Sequence, residues 1–266
     1  MLKHKQWKTM SKRLVMTMAM GALAWCVRPA LAQTPPVTAA RAVDIVLVHG
    51  AFADGSSWSR VITLLQQKGY RVTAVQNPLS SLTADVNATL SVVARQPHPV
   101  LLVGHSWGGA VISEAGNDPR VKGLVFLSAL APDSGESVAQ LLQRLKAPME
   151  GLAPDANGLI WLDDPRAFGQ VMANDLGTDE VARLTAVQQP IAAAAFTENI
   201  GRAAWHDKPS WYLVTEDDHA LPTPVQRKLA SSMGAQVQSL RSSHLSLISH
   251  AAEVSDLIDK AAQSLR

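Results

Sequence analysis

At residues 100–109 the chain reads VLLVGHSWGG, in which four apolar residues lead into a serine flanked by glycines. The apolar run is typical of a short strand buried on both faces of a sheet, and a helix pattern begins at Gly108. A serine between a strand and a helix lies in a tight turn that needs small residues at Gly104 and Gly108. The turn exposes the Ser106 hydroxyl and places the next backbone N–H groups at a helix start, which favours developing negative charge. The segment therefore predicts Ser106 as a nucleophile.

The segments on either side of this turn alternate between strand and helix patterns. Strands are predicted at residues 43–48, 71–76, 100–103, 121–127, 210–215 and 236–240. Helices are predicted at residues 57–68, 83–94, 108–115, 224–232 and 253–264, with Thr83 as the N-cap of the second. Alternation at this interval is typical of βαβ units, so the fold class is α/β, with a mostly parallel central sheet flanked by helices.

The long segment between Pro132 and Pro209 has no clear strand pattern. It contains helix-like pieces at residues 136–146, 165–174, 179–188 and 191–196. A connection of this length usually has its own structure or a function, so we expect a small helical cap insertion at about residues 133–208. The apolar content of the insertion indicates a small, uncharged, hydrophobic substrate. The residues concerned are Leu152, Leu159, Ile160, Trp161, Phe168 and Phe196.

A serine hydroxyl is a poor nucleophile without a base, and His244 is the candidate for that base. It follows the last predicted strand in a short polar loop, before the final helix. A histidine late in the chain is what the strand–serine–helix arrangement requires. His250 is the alternative, but the helical pattern after it favours a surface or core role.

Three acidic residues, Glu216, Asp217 and Asp218, follow the predicted strand 210–215 and are candidates for the group that orients the histidine. They lie at the carboxyl end of a parallel strand, where ligands gather in open α/β sheets. Asp133 is a fourth candidate because it follows the strand 121–127 in the same way. Periodicity does not choose among the four.

The oxyanion of an acyl-transfer intermediate needs two hydrogen-bond donors. One is expected from the backbone N–H of Trp107, directly after the nucleophile. The other is expected from the loop after the first strand, where Gly50 permits a close approach and Ala51 or Phe52 supplies the N–H. The candidate substrate contacts are residues beside these groups and in the insertion, namely Phe52, His105, Trp161 and Phe196.

The first 32 residues have the order of a secretory signal peptide. Five lysines and arginines between Lys3 and Arg13 precede an apolar stretch at residues 14–27, and Ala30-Leu31-Ala32 forms a cleavage site before Gln33. Fourteen residues of helix cover only about 21 Å, short of the roughly 30 Å bilayer core. We therefore expect cleavage after Ala32, a flexible lead at residues 33–42, a domain at residues 43–266, and a periplasmic or secreted protein without membrane association.

Charge and motif content exclude several other function classes. Residues 1–32 hold six of the 24 Lys+Arg and none of the 22 Asp+Glu, which leaves 18 basic against 22 acidic residues and a net charge of −4. The basic pI therefore does not indicate nucleic-acid binding. The single cysteine, Cys26, lies in the leader. No H-E-x-x-H, G-x-G-x-x-G or Walker A string follows a strand, so we expect no metal and no other cofactor.

Four segments together resemble the α/β-hydrolase superfamily, most closely small bacterial members related to plant methylesterases and hydroxynitrile lyases. They are residues 49–52, 104–109 and 215–221, and His244. The resemblance implies the α/β-hydrolase fold and places the second oxyanion donor at Ala51. It also implies that Asp218 is the acid, because in that group the acid shortly precedes a helix that contains a glutamine, here Gln226. The lyases carry a lysine after the histidine, whereas this chain has Leu245, which favours hydrolysis.

The sequence thus predicts an exported serine hydrolase that cleaves a small hydrophobic carboxylic ester through a Ser106 acyl-enzyme, with His244 as base and no cofactor. One alternative is a lyase or cofactor-free haloperoxidase or perhydrolase of the same fold, and an aminopeptidase is another. A receptor-like protein that binds a ligand with little turnover is the non-enzymatic alternative.

Overall fold

The computed structural model describes residues 43–147 and 151–265. The expected signal peptide and the lead at residues 33–42 lie outside the described residues. In the described part of the chain, no helix is long and apolar enough to cross a membrane.

Alternating strands and helices form the described chain, as the sequence pattern predicts. The strands are β1 (Asp44–Val48), β2 (Val72–Ala74), β3 (Val100–His105), β4 (Val121–Leu127), β5 (Leu159–Ile160), β6 (Ile191–Ala192), β7 (Ser210–Thr215) and β8 (Gln236–Leu240). The α-helices are α1 (Ser59–Gln67), α2 (Leu82–Val93), α3 (Gly108–Ala115), α4 (Val138–Arg144), α5 (Pro165–Met172), α6 (Thr178–Ala186), α7 (Thr223–Ser232), α8 (Ser246–Ser249) and α9 (Ala251–Ser264).

Six strands form one sheet in the order β2-β1-β3-β4-β7-β8, and every neighbouring pair is parallel. β1, β3 and β7 are buried along their whole length, which explains their continuous apolar runs. β8 lies at an edge and is largely exposed, consistent with its polar residues. Helix α1 packs against α9, α2 packs against α3, and α7 packs on β7. The α/β-hydrolase fold is confirmed.

The segment that was predicted as a helical cap contains three helices, α4, α5 and α6. It also contains a small antiparallel sheet of β5 and β6. The sheet was not predicted, since strands of two residues are too short to show a period of two. The helix-like piece at 191–196 is β6 followed by a 3₁₀ turn. Helix α4 starts with a capping box between Ser137 and Gln140.

The N-cap of α2 corrects one prediction. Ser81, not Thr83, caps the helix, and its hydroxyl accepts a hydrogen bond from the N–H of Ala84 at 2.9 Å. Thr83 lies inside the first turn, and its hydroxyl donates instead to Glu198 at 3.0 Å. Either residue type suits the cap position, so composition alone did not distinguish them.

Candidate active site

Ser106 stands in a tight turn between β3 and α3, with φ of +53°. A non-glycine residue in this left-handed region is strained, and such strain is typical of functional sites. The turn is crowded: a Cβ at Gly104 would lie 2.5 Å from the carbonyl oxygen of Gly108, and one at Gly108 would overlap the carbonyl oxygen of Val48. The two glycines are therefore required by close packing of the turn, as the sequence indicated.

The structure brings His244 and Asp218 into direct contact. His244 Nδ1 lies 2.7 Å from Asp218 Oδ2, and both side chains are buried. Because the carboxylate faces Nδ1, that nitrogen carries the hydrogen of a neutral imidazole and Nε2 is left as the basic nitrogen. This is the arrangement that a general base needs in order to accept a proton from a serine.

The Asp218 carboxylate is held by five donors. Oδ1 accepts from the N–H groups of Ala220 and Leu221 at 2.9 and 2.8 Å. Oδ2 accepts from His244, from the Thr215 hydroxyl at 2.6 Å and from Gln226 Nε2 at 2.9 Å. Burial opposes ionisation of Asp218, but the electrostatic interaction with His244 and these hydrogen bonds outweigh it, so the pKa of Asp218 is lowered and the group stays ionised.

The rival acids do not contact His244 in the described chain. Asp133 is exposed and pairs with His206 at 2.7 Å, a hydrogen bond that lowers the pKa of Asp133. Glu216 pairs with Arg227 at 2.9 Å. Asp217 is half exposed and accepts from the Asn174 amide at 3.1 Å. Geometry therefore favours Asp218 among the four candidates.

The rival base is also separated from this pair. His250 contacts Ser249 Oγ at 2.8 Å and lies 3.7 Å from Asp175. The part of the chain that the structure describes shows no hydrogen bond between His250 and Ser106 or Asp218.

Ser106 and His244 line the same cavity, of about 300 Å³, between the sheet and the cap. Within the described ranges no hydrogen bond joins the Ser106 hydroxyl to the imidazole. A serine–histidine hydrogen bond that is long without substrate and tightens with it is common in hydrolases. Because Ser106 and His244 line one cavity, a ligand bound there can contact both side chains.

Ala51 and Trp107, the two expected oxyanion donors, line this cavity next to Ser106. The loop of Ala51 approaches the turn closely, since a Cβ at Gly50 would lie 2.8 Å from Ser106 Cβ. Phe52, the next residue, has φ of +58°. The strained loop and the strained turn thus approach each other closely at Gly50.

The rest of the cavity wall is mostly apolar. Phe52 and Phe196, two of the candidate substrate contacts, line it. The other apolar residues of the wall are Leu130, Leu142, Ala147, Leu152, Leu162, Val171, Met172, Ala220, Leu221 and Pro222. His219 is the additional titratable side chain in this lining, and its Nδ1 lies 2.8 Å from the carbonyl oxygen of Gln170.

Two expected substrate contacts lie elsewhere. His105 is buried beneath the turn, where its Nε2–H donates to the carbonyl oxygen of His244 at 2.9 Å. Burial lowers the pKa of His105 to about 3, so the ring is neutral and supports the loop of the base. Trp161 is exposed, and its indole donates to Asp155 at 3.1 Å. His105 is the last residue of β3, a strand that is buried along its whole length, whereas Trp161 follows β5 at an exposed position.

The C-terminal end of α5 fixes both loops of the acid–base pair, which the sequence did not reveal. Asp175 accepts from the N–H of Ser243 at 3.0 Å, and the carbonyl oxygen of Met172 accepts from Leu245 at 3.2 Å. The Asn174 amide donates to the Asp217 carbonyl oxygen at 3.1 Å. The cap is thereby joined directly to the residues that flank His244 and Asp218. The only sequence signal is a polar pair at a helix end, which is common on surfaces.

Among the residues that the structure describes, no group of three His, Cys, Asp or Glu side chains could hold a metal ion.

Comparisons with known proteins show the family of the chain. The sequence pattern of the alpha/beta hydrolase family matches residues 45–257. The chain is 30% identical over 208 residues to an alpha/beta hydrolase of Aspergillus novofumigatus. The match covers 70% of this chain and 82% of that one. The chain is 26% identical over 215 residues to an Arabidopsis thaliana protein named provisionally as a chloroplastic methylesterase, which covers 70% of this chain. The chain spans 55% of the length of that relative.

Solved structures show the same fold. A pyrethroid hydrolase from Sphingobium faniae superposes with a TM-score of 0.71 and 22% identity, over 83% of this chain and 97% of that one.

Proposed function

This hydrolase belongs to the α/β-hydrolase family, and on that premise we propose that it is a serine carboxylesterase that cleaves small hydrophobic esters. The observation that carries the proposal is the buried contact between His244 and Asp218 at the wall of the cavity that Ser106 lines. A base with a fixed tautomer beside a strained serine is the arrangement of covalent acyl transfer.

In the proposed reaction, Ser106 Oγ attacks the ester carbonyl carbon while His244 Nε2 takes the hydroxyl proton. Asp218 holds Nδ1–H and stabilises the imidazolium that forms. The oxyanion accepts hydrogen bonds from the N–H groups of Ala51 and Trp107. Collapse of the intermediate breaks the bond to the leaving alcohol, which receives the proton from His244 and leaves an acyl-enzyme on Ser106. Water, deprotonated by His244, then attacks the acyl carbon. The bond between that carbon and Ser106 Oγ breaks, Oγ takes the proton back from His244, and the acid is released.

The cavity supports an uncharged substrate. A carboxylate or ammonium group in an apolar cavity loses its hydration without a partner, and that costs several kcal/mol. A volume of about 300 Å³ lies at the small end of ligand pockets. One relative is named provisionally as a methylesterase and another as a pyrethroid hydrolase, and these names support a carboxylesterase here.

We propose further that the protein is exported to the periplasm or beyond, with cleavage after Ala32. The support is the order of basic, apolar and small residues in the leader.

Labelling of the chain from Gln33 with a fluorophosphonate probe, together with turnover of p-nitrophenyl esters, tests the proposed function. We expect stoichiometric labelling that Ser106→Ala abolishes. Ser113→Ala is the matched control, because Ser113 is a buried serine of α3, the helix that follows Ser106, and its hydroxyl donates to the Gly109 carbonyl oxygen. We also expect p-nitrophenyl butyrate to be cleaved about 100-fold faster than the anionic hemisuccinate ester. A folded wild type that is neither labelled nor active would contradict the proposal and favour a ligand-binding role.

A further inference from the structure

Asp85, on α2, is a buried carboxylate that the proposed reaction does not use. Its side chain is fully buried. Oδ2 accepts from the indole Nε1–H of Trp107 at 2.7 Å, and Oδ1 accepts from the backbone N–H of Leu79 at 2.8 Å. In the described chain, none of the ion pairs involves Asp85. A buried charge without a counter-ion is costly, so a position that retains one calls for an explanation.

Both donors belong to segments that shape the active site. Trp107 directly follows the nucleophile and supplies a proposed oxyanion donor. Its indole contacts both Asp85 and Phe196, with 5.0 Å between the ring centres of Trp107 and Phe196. Trp107 and Phe196 are both lining residues of the cavity. Asp85 therefore holds the ring end of the Trp107 side chain, and the backbone N–H of the same residue is the proposed oxyanion donor.

The second donor links the same carboxylate to the cap. Leu79 has φ of +55°, and its carbonyl oxygen accepts from the N–H of Ala192 in β6 at 2.9 Å. β6 leads into the 3₁₀ turn that carries Phe196. Asp85 is thus connected to β6 through Leu79, and the turn after β6 carries Phe196, which packs on Trp107. The Trp107 indole is therefore contacted both by Asp85 and by a cap segment that is itself hydrogen-bonded to Leu79.

We infer that Asp85 is a positioning residue, which fixes the Trp107 indole and thereby the direction of the Trp107 backbone N–H toward the oxyanion. The inference rests on the proposed function, since it assigns a part of the same reaction. It predicts an effect on kcat rather than on substrate binding, because the N–H is needed most when negative charge develops.

Asparagine at position 85 separates this role from general packing. A carboxylate offers an acceptor to each of the two donors, whereas an asparagine of the same shape offers one acceptor and an NH₂ group. In Asp85→Asn, either the Trp107 indole or the Leu79 N–H faces another donor. Removing the indole N–H with Trp107→Phe relieves that conflict, so the second substitution should restore activity that the first removed.

The experiment compares kcat and KM for p-nitrophenyl butyrate in wild type, Asp85→Asn, Trp107→Phe and the double variant. Asp44→Asn is the matched control: Asp44 is also buried and also serves a ring nitrogen and a backbone N–H, those of His98, but at the far end of β1. We expect about a 10-fold loss of kcat in Asp85→Asn with KM changed less than threefold, a higher kcat in the double variant than in Asp85→Asn, and an unchanged kcat in Asp44→Asn.

The inference is overturned if Asp85→Asn retains wild-type kcat, if the losses of the two single variants simply multiply in the double variant, or if Asp44→Asn loses kcat equally. Should Asp85→Asn fail to fold, the Trp107→Phe variant decides, because it removes the same hydrogen bond: an unchanged kcat there overturns the inference.

A spectroscopic measurement distinguishes this failure from failure of the proposed function. The ¹⁵N-indole resonance of Trp107, assigned from its loss in Trp107→Phe, should shift downfield relative to that of the buried Trp58, whose indole N–H has no hydrogen-bond partner among the described residues, and should move in Asp85→Asn. If wild type turns over no ester but the resonance behaves in this way, the proposed function fails while the Asp85–Trp107 contact stands. If wild type is active and the resonance ignores Asp85→Asn, the inference alone fails.

Discussion

At the level of single residues, backbone strain is concentrated around the nucleophile. Four of the five described non-glycine residues with positive φ contact this region. Ser106 and Phe52 line the cavity, the Ser128 hydroxyl donates to the His244 carbonyl oxygen at 3.2 Å, and Leu79 donates to Asp85. Strain of this kind costs about 1–3 kcal/mol per residue and persists where the surroundings over-determine the conformation. The dense hydrogen bonding beneath the turn supplies that constraint.

The acid is tested by Asp218→Asn. The amide cannot stabilise an imidazolium at His244 and favours the wrong tautomer, so kcat should fall by about 10³–10⁴-fold with the fold retained. Steady-state kinetics and circular dichroism measure the two effects. Asp133→Asn, at the exposed rival acid, should stay within about twofold of wild type, and the reverse pattern would identify Asp133 as the acid.

The pH dependence of stability is predicted for Asp85. Burial, with a smaller effect of the negative charge of Glu198, raises the pKa of Asp85 to about 6 against the hydrogen bonds from Trp107 and Leu79. An acid whose pKa is raised by folding binds more protons in the native state between pH 4 and 6, so its contribution to the free energy of unfolding is present below pH 4 and is lost as the pH rises through 6.

The full contribution of Asp85 is about 3 kcal/mol, of which about 2 kcal/mol is lost between pH 4.5 and pH 7. Urea unfolding of wild type and Asp85→Asn at both pH values measures it as the change in their stability difference. A difference that is independent of pH would show that Asp85 titrates normally.

At the scale of elements, the site is formed where β1, β3 and β7 end and two cap segments meet them. Helix α3 approaches the sheet so closely that Gly108 contacts the backbone of β1 and Gly109 contacts the carbonyl oxygen of Leu130. The end of α5 closes the opposite side through Asp175 and Ser243. The cap is thus a structural part of the site and does not simply cover it.

The close approach of α3 to β1 predicts a strong effect of Gly108→Ala. The added methyl group overlaps the Val48 carbonyl oxygen, so the helix must move or the turn must deform, and the free energy of unfolding should fall by about 3 kcal/mol. Gly177→Ala is the control, because no atom lies within 4 Å of its Cβ position, and it should cost less than about 1 kcal/mol. Urea unfolding compares the two, and equal losses would refute the packing argument.

At the scale of the whole molecule, the proposed targeting segment and the proposed catalytic domain are separate parts of the chain. The expected leader carries the excess of basic residues, while the chain from Gln33 is acidic and has no cysteine. The apolar cavity suits an enzyme that takes neutral small molecules.

Export predicts a defined N-terminus. When the full chain is produced in a bacterial host, the protein recovered from the periplasm or medium should begin at Gln33 and give no reaction with a thiol reagent. Ala32→Arg should block cleavage and leave the precursor with the cells. N-terminal sequencing and intact mass measure both results. A mature protein that retains Cys26 would refute cleavage after Ala32.

The sequence by itself determined the features that depend on local pattern. Each buried strand appears as an apolar run, and the helices α1, α2, α3, α7 and α9 appear at helical spacing with bounds within two residues of those observed. Ser106 was predicted from its position between a strand pattern and a helix pattern, and His244 from its position after the last strand pattern. Local patterns are reliable here because burial in a parallel sheet dictates residue type at every position of a strand.

Only the tertiary structure decided which side chains meet. Asp217 and Asp218 are equally acidic in sequence, yet only Asp218 turns inward to five donors, because the loop after β7 is fixed by Gln226 from α7. His105 and Trp161 point away from the cavity, while Asp85, with no sequence signal, lies behind Trp107. The reason is physical: hydrogen-bond geometry between residues distant in the chain depends on how the elements pack, and no local pattern encodes that packing.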